Sequence, residues 1–204
     1  MTSIYRFAGK RLLDVVLVLI GAPVFVLVST IVSIVVLISI GRPVLFSQRR
    51  PGLNARLFTL RKFRTMTQAT DSSGVLLPDD VRLTAAGRWL RAASLDELPE
   101  LWNVLIGDMS LVGPRPLLPR YLDRYSTRQA MRHLVRPGVT GLAQVNGRNA
   151  ASWEQKFEYD VQYVEQYSLS MDMRILAKTA LVVLRRDGVN QAGHATMEEF
   201  RGKQ

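Results

Sequence analysis

The sequence contains no cysteine and only two histidines among its 204 residues. Without cysteine the chain can form neither a disulfide nor a thiolate metal site, and it fits a reducing compartment. His133 and His194 are far apart in the sequence and lack the spacing of metal ligands. A disulfide-stabilised fold and a metal site built on histidine or thiolate are therefore not expected.

Several common catalytic motifs are also missing from the sequence. There is no phosphate-binding G-x-x-x-x-G-K-[ST], no dinucleotide-binding G-x-G-x-x-G and no G-x-S-x-G around a nucleophilic serine. The Asp-x-Asp pattern, the usual metal signature of nucleotide-sugar glycosyltransferases, does not occur either. Any enzymatic activity must rest on another arrangement of residues.

The charge is strongly unbalanced, with 27 basic and 17 acidic residues and a formal net charge of +10. Such a balance indicates an anionic partner, which could be nucleic acid, anionic lipid or a phosphorylated substrate. A nucleic-acid-binding domain usually shows aromatic residues among the basic ones, or a helix-turn-helix or RNP pattern. None is present, so we expect no nucleic-acid partner.

One long apolar segment, residues 15–40, contains no charged residue and is long enough to cross a bilayer as a helix. Basic residues flank it on both sides: Arg6, Lys10 and Arg11 before it, and Arg42, Arg49, Arg50 and Arg56 after it. Basic residues accumulate on the cytoplasmic side of membrane segments. We therefore predict a re-entrant helix, residues 1–41, that breaks at Ala22 and Pro23 and returns to the cytoplasmic face.

A straight spanning helix remains the main alternative, because neighbouring groups can compensate for a proline even in lipid. A signal peptide has a shorter apolar core and a cleavage site, and a buried core helix usually has a polar face. The rest of the chain, residues 42–204, is predicted to form one compact cytoplasmic catalytic domain.

The local patterns of this domain predict an α+β fold that is mainly helical. Two short β-like runs, 44–46 and 58–60, surround a turn at 50–54 and predict a small hairpin. Helices are expected at 84–93, 98–105, 121–135, 152–167 and 172–184, whereas 139–147 reads as extended and turn-rich. The last helix has an apolar stripe that suits either the core or the membrane surface.

The segment 94–101 carries two adjacent carboxylates, Asp96 and Glu97, at the predicted start of a helix. Ser94 with Glu97 three residues later also matches a capping box, which would be a purely structural role. Arg91 lies just upstream, and Arg115 lies between Pro114 and Pro116 downstream. Two carboxylates among arginines suit a divalent ion and a diphosphate, since Mg²⁺ often takes one or two carboxylates plus substrate phosphates.

The chain resembles the small bacterial sugar transferases known as monotopic phosphoglycosyl transferases over almost its whole length. The matching segments occur in the family's order: Lys10-Arg11 with Asp14, then 46–52, 62–66, 94–98, 107–116 and 136–141. Several blocks in order make this a specific match, whereas one Asp-Glu pair would be a weak one. The C-terminal residues 188–200 resemble the subgroup that starts bacterial glycan assembly with diacetylbacillosamine.

The resemblance implies transfer of a sugar-1-phosphate from a UDP-sugar to undecaprenyl phosphate, with release of UMP. The sugar would be N-acetylated, with UDP-N,N'-diacetylbacillosamine as the expected donor, and the enzyme would sit in the cytoplasmic leaflet of the bacterial inner membrane. In the family an Asp-Glu dyad acts with Mg²⁺ through an aspartyl-phosphosugar intermediate, and it falls here on Asp96 and Glu97. Lys62 and Arg91 are then candidate phosphate contacts, and the Pro114-Arg115-Pro116 loop resembles the nucleotide-side loop.

The sequence departs from the family pattern in the membrane segment. The family usually breaks its helix at Ser-Pro, about one turn later than the Ala22-Pro23 pair of this chain. The missing hydroxyl could have satisfied a freed backbone group. A bitopic, non-catalytic membrane anchor with a basic recruitment domain is the alternative function.

Overall fold

The structure is a computed structural model that describes residues 5–147, 151–185 and 199–202. The N-terminal half contains a π-helical turn at Tyr5–Gly9, α1 (Lys10–Ser39), β1 (Leu45–Pro51), β2 (Leu57–Phe63), α2 (Asp79–Arg82), α3 (Ala85–Ala92) and α4 (Glu100–Ile106). The C-terminal half contains β3 (Ser110–Val112), α5 (Thr127–Ala130), β4 (Gly138–Thr140), α6 (Leu142–Asn146), α7 (Trp153–Gln166) and α8 (Leu169–Arg185). The predicted mainly helical fold with a small hairpin is confirmed.

The apolar segment forms one long helix, α1, which continues through Ala22 and Pro23 without interruption. The predicted break at this pair therefore does not interrupt the helix, and the re-entrant path through the membrane stays a prediction. Pro23 removes a single backbone donor, and the hydrogen bonds on either side can still hold the helical path. Within the described residues, α1 is the helix that is long and apolar enough to cross a membrane.

Both ends of α1 are attached to the globular domain. Near its start, Lys10 forms a 2.6 Å ion pair with the buried Asp172 of α8. Arg11 donates hydrogen bonds to two carbonyl groups of α4. Near its end, Val32 and Val36 are buried in a cluster with Phe63 of β2 and Leu90 of α3. The helix therefore lies along the domain, and its opposite face leaves large apolar side chains exposed, among them Leu19, Ile20, Val24, Leu27, Ile31, Ile34 and Ile38.

The hairpin is antiparallel, with Leu45 paired to Phe63 and Pro51 paired to Leu57. Its strands are longer than the sequence predicts, and in β2 polar and basic residues separate Phe58, Leu60 and Phe63, which pack inward. Phe58 and Leu60 face the core together with Val18 of α1. The hairpin thereby connects α1 to the rest of the domain.

A second pairing, between β3 and β4, is parallel and was not predicted. The two strands approach so closely that a side chain on Gly141 would lie 2.2 Å from the carbonyl oxygen of Gly113. The expectation that 139–147 is extended is correct only for β4, because the chain then turns into α6. The segments that follow β3 and β4 start side by side, and both lead to the site described below.

Four of the five predicted helices of the domain are confirmed, with different ends. Thr84 caps α3 by accepting from the amide of Gly87, and Ser152 forms a capping box with Gln155 at the start of α7. The predicted helix at 121–135 is wrong, since short 3₁₀ turns at Pro119–Arg124 and Met131–Leu134 flank α5. In α8, Ile175 is buried while Met173 and Leu181 are exposed, so a membrane-facing side of this helix stays a prediction.

Candidate active site

Asp96 and Glu97 lie in a 3₁₀ turn, Leu95–Glu97, that leads into α4. The alternative capping box is wrong. Ser94 has a left-handed backbone with φ of 55°, and its side chain caps nothing, whereas a capping residue normally has an extended backbone. The left-handed turn instead places both carboxylates beside the strand β2 and the loop that follows β3.

Glu97 is held by two cations. Its Oε1 lies 2.6 Å from Lys62 Nζ of β2 and 2.5 Å from an Arg115 side-chain nitrogen. Burial raises the pKa of Glu97, but Arg115 and Lys62 lower it by more, so the group stays well below its usual pKa. Glu97 is therefore ionised across the physiological pH range.

Lys62 also contacts a third carboxylate, since its Nζ lies 3.0 Å from Oε1 of Glu100. Glu100 is only 2% exposed. Burial raises the pKa of Glu100 to about 7, and the charge of Lys62 opposes that rise. The lysine is thus fixed between two glutamates at the base of the site, with less freedom than a surface lysine has.

Asp96 differs from its neighbour because its carboxylate makes no hydrogen bond or ion pair with any described residue. Burial, and then the negative charge of Glu97, raise the pKa of Asp96 to about 6. Lys62, Arg115 and Arg91 oppose this rise through their charges. Two adjacent carboxylates with pKa values moved in opposite directions are typical of paired groups with different chemical roles.

A buried ion pair between Arg132 and Asp160 positions the backbone of Arg115. Arg132 donates a 2.7 Å hydrogen bond to the backbone carbonyl of Arg115 and forms a 2.7 Å ion pair with Asp160 of α7. Arg132 and Asp160 are 3% exposed each. A chain of charged groups therefore runs from α7 to the dyad and ends at Glu97.

A cavity of about 650 Å³ lies between Glu97 of the dyad and the apolar helix α1. Glu97, Arg115, Arg132, Lys156 and Asp160 give it one charged end, and Phe25 of α1 lies in its wall. The other wall residues include apolar ones: Leu98, Leu101, Leu117, Val139, Ala143 and Val183. A cavity with a charged end and an apolar wall suits a ligand that is itself both anionic and apolar.

The carboxylates of the site fit a metal ion only together with a ligand. In the ranges 5–147, 151–185 and 199–202, no cluster of three or more histidine, cysteine or acidic side chains is placed to hold a metal. Mg²⁺ needs fewer protein ligands than that, because it keeps waters and takes substrate phosphate oxygens. Asp96, which has no other partner, and Glu97 can supply the protein part of such a site.

The structure brings most of the predicted site residues together. Asp96, Glu97, Lys62 and Arg115 form one cluster, and Arg91 is close enough to influence Asp96 while its Nε donates to Thr65 Oγ1 at 3.0 Å. Pro114 and Pro116 do not line the large cavity. They line a separate small pocket with Pro51, Gly52, Pro137 and other residues.

The sequence reasoning missed Glu100, Arg132, Asp160 and Gln144. Glu100 could have been found, since it lies one helical turn after Asp96. The other three are separated from the dyad by more than thirty residues, and only the pairing of β3 with β4 and the packing of α7 bring them near.

The sequence profile of the bacterial sugar transferase family matches residues 5–186 of the chain. A sugar transferase of Bacillus subtilis (strain 168), the uncharacterized EpsL, is 54% identical over 198 residues, which cover 95% of this chain and 96% of that protein. The UDP-glucose:undecaprenyl-phosphate glucose-1-phosphate transferase of Caulobacter vibrioides is 40% identical, over 87% of this chain and 70% of that protein.

Some relatives are considerably longer than this chain. The undecaprenyl-phosphate galactose phosphotransferase of Salmonella typhimurium is 42% identical over 72% of this chain, but the match covers only 35% of that protein. This chain thus corresponds to about a third of the Salmonella relative and to nearly all of the Bacillus one.

Proposed function

Because the chain belongs to the bacterial sugar transferase family, we propose that it transfers a sugar-1-phosphate from a UDP-sugar to undecaprenyl phosphate and releases UMP. The observation that carries this proposal is the geometry of the dyad. Asp96, whose carboxylate has no hydrogen bond or ion pair among the described residues, lies beside Glu97, which two cations hold in its ionised form. The adjoining cavity has a charged end for phosphates and an apolar wall that includes a residue of the membrane helix.

The proposed reaction has two displacements at the sugar-bearing phosphorus. Asp96 attacks this phosphorus, the bond to the bridging oxygen breaks, and UMP leaves with that oxygen. The phosphate oxygen of undecaprenyl phosphate then attacks the same phosphorus and displaces the carboxylate of Asp96, giving undecaprenyl-diphosphate-sugar. Two bulky anions can then use one site in turn, which is the advantage of a covalent intermediate.

Charge neutralisation falls to the cations around the dyad. Arg115 and Lys62 already offset the charge of Glu97, and Arg91 adds a positive charge near Asp96. Preorganised cations of this kind stabilise the charge that develops on phosphoryl oxygens. Mg²⁺ held by Asp96, Glu97 and the diphosphate would offset further negative charge there.

The test is an assay of the purified full chain with Mg²⁺, undecaprenyl phosphate and a set of UDP-sugars. We expect UMP and undecaprenyl-diphosphate-sugar in equal amounts. Release of UDP would indicate an ordinary glycosyl transfer instead, and no nucleotide release from any donor would favour the non-catalytic membrane anchor.

The same assay determines which sugar the donor carries. We propose an N-acetylated donor, with UDP-N,N'-diacetylbacillosamine expected from the C-terminal tail, whose residues 193–198 lie outside the described part of the structure. The names of relatives do not single this sugar out, since they include galactose, glucose and N-acetylgalactosamine transferases. Faster turnover of UDP-glucose or UDP-galactose than of every N-acetylated donor would contradict the assignment.

We further propose that the chain is monotopic, with α1 lying in the cytoplasmic leaflet of the inner membrane. The packing of α1 on the globular domain supports this topology better than the basic residues at its flanks do. Lys10 and Arg11 bind the globular domain at one end of α1, and Val32 and Val36 pack on it near the other end. A helix that crossed the bilayer upright would carry one of its ends away from the domain.

Single cysteines can test the topology, because the chain has none of its own. With Thr2→Cys or Ser47→Cys, we expect neither variant to react with an impermeant thiol reagent in intact cells, since both positions would face the cytoplasm. Both should react after permeabilisation, which is the control for accessibility. Labelling of Thr2→Cys alone in intact cells would establish a spanning helix.

A further inference from the structure

The large cavity contains a polar side chain that the reaction proposed above does not use. Gln144 of α6 lies in the cavity wall, and its Oε1 and Nε2 are both buried without a hydrogen bond to any described residue. A buried polar group left without a partner destabilises the folded protein, because it has lost its hydrogen bonds to water. Such groups are rare in folded proteins, and each one needs an explanation such as a bound water or ligand.

The fold places Gln144 in the wall of the cavity that Glu97 and Arg115 also line. Arg115 follows the end of β3 and Gln144 follows the end of β4, and these two parallel strands are paired. In sheets of parallel strands, ligands commonly bind beyond the carboxyl ends of the strands. Gly141 keeps this arrangement open, since a side chain on it would lie 2.6 Å from Gln144 Oε1.

The chemistry of a primary amide limits what can bind to it. The amide of Gln144 offers both donors and an acceptor. A phosphate group only accepts hydrogen bonds and would leave Oε1 without a partner, and a polyprenyl chain offers nothing to either atom. A sugar hydroxyl or acetamido group can donate and accept, so it satisfies both ends of the amide. A uracil edge can do the same, but Pro114 and Pro116 of the loop assigned to the nucleotide side line the other, smaller pocket, and only Arg115 of that loop also lines the large cavity.

We propose that Gln144 binds a hydroxyl or acetamido group of the donor sugar and thereby determines which sugar-1-phosphate is transferred. This inference rests on the proposed function, because it assigns the sugar to the cavity shared with Glu97 and Arg115. The sugar is the part of the donor that both displacements have in common, and it stays beside the dyad while UMP leaves and the lipid phosphate arrives.

The experiment compares wild type with Gln144→Leu, which keeps a similar volume but removes both hydrogen-bonding functions. The measured quantity is kcat/KM for the best donor of the wild type and for a donor analogue that lacks one hydroxyl or acetamido group of the sugar. We expect Gln144→Leu to lower kcat/KM for the best donor about tenfold or more, and to reduce the preference over one such analogue by a similar factor. The inhibition constant of UMP and the KM for undecaprenyl phosphate should not change.

Two further variants separate recognition from folding. Gln162→Leu makes the same chemical change on the exposed face of α7 and should leave all kinetic constants unchanged. Gln144→Asn keeps the amide but shortens its reach, and it should lose part of the same preference. Removing an amide without partners should not lower the melting temperature, so Gln144→Leu is expected to be at least as stable as wild type.

The possible outcomes are distinct. An active wild type with an unchanged sugar preference in Gln144→Leu would overturn this inference and leave the proposed function intact. A weaker inhibition by UMP would move Gln144 to the nucleotide, and a higher KM for undecaprenyl phosphate alone would move it to the lipid; either result overturns the sugar assignment. A wild type that releases no UMP from any donor would overturn the proposed function and this inference with it.

Discussion

Asp96→Asn is expected to lower turnover by about a thousandfold or more while the protein stays folded. An amide has nearly the shape of a carboxylate, but it cannot form the acyl phosphate bond to the sugar-bearing phosphorus. In the part of the chain that the structure describes, the Asp96 side chain has no hydrogen bond or ion pair to lose. UMP release by purified wild type and variant, measured with equal amounts of folded protein, checks the prediction.

Stability provides an independent check, because burial and the charge of Glu97 raise the pKa of Asp96 from its ordinary value of 3.8 to about 6. A carboxyl group with a raised pKa contributes its full stability below pH 3.8, and that contribution is lost as the pH rises through about 6. Asp96→Asn carries no charge to bury, so it should be more stable than wild type at pH 8. This difference should disappear as the pH approaches 4.

Two observations on the wild type complete the test of the nucleophile. Its rate should fall as the pH drops through about 6, because a protonated carboxyl group is a poor nucleophile. Incubation with UDP-sugar and no lipid should leave a phosphosugar on the peptide that contains Asp96, visible by mass spectrometry.

The matched control for Asp96→Asn is Asp123→Asn, which makes the same change at an exposed aspartate and should retain activity. Absence of the adduct, with kinetics that require both substrates before UMP leaves, would indicate direct attack by the lipid phosphate.

The sequence predicted those parts of the fold that depend on neighbouring residues. The hairpin follows from two apolar runs around a Pro-Gly turn, and α3 and α7 start at Thr84 and Ser152, whose side chains cap them. The capping box at Ser94 had an equally good local pattern and is absent, because the backbone at Ser94 is left-handed. A tight turn beside the site decides that conformation, and a four-residue pattern contains no information about it.

The residues of the candidate site also fall into two groups, those that the sequence could identify and those that depend on the tertiary fold. Asp96, Glu97 and Arg115 belong to short segments whose composition stands out, so the sequence could identify them. Gln144 and Asp160 lie on segments of ordinary composition, and their place in the site depends on which strands pair. The membrane segment was recognised from its length and its flanking charges, but Lys10 and Arg11 bind the protein itself, which the charge pattern alone could not indicate.

The buried ion pair beneath the site carries the largest expected effect on stability. In Arg132→Met, Asp160 would remain buried without its partner, which costs about 3–5 kcal/mol and corresponds to a fall of about 10 °C in melting temperature for a chain of this size. Activity should fall as well, because Arg132 donates to the backbone carbonyl of Arg115, the residue that holds Glu97. Thermal unfolding in detergent and UMP release measure the two effects separately.

The neighbouring Arg128 offers a matched control, since it pairs with Glu158 on the exposed side of α7. Arg128→Met should leave the melting temperature nearly unchanged, because solvent screens exposed ion pairs. Burial already raises the pKa of Asp160 against the charge of Arg132. In Arg132→Met this aspartate should therefore take up a proton, and the loss of stability should shrink as the pH falls.

The double variant Arg132→Met with Asp160→Leu removes both charges and should recover most of the lost stability. If it also recovered full activity, the ion pair would have no part in positioning Arg115, and its role would be confined to the core of the domain.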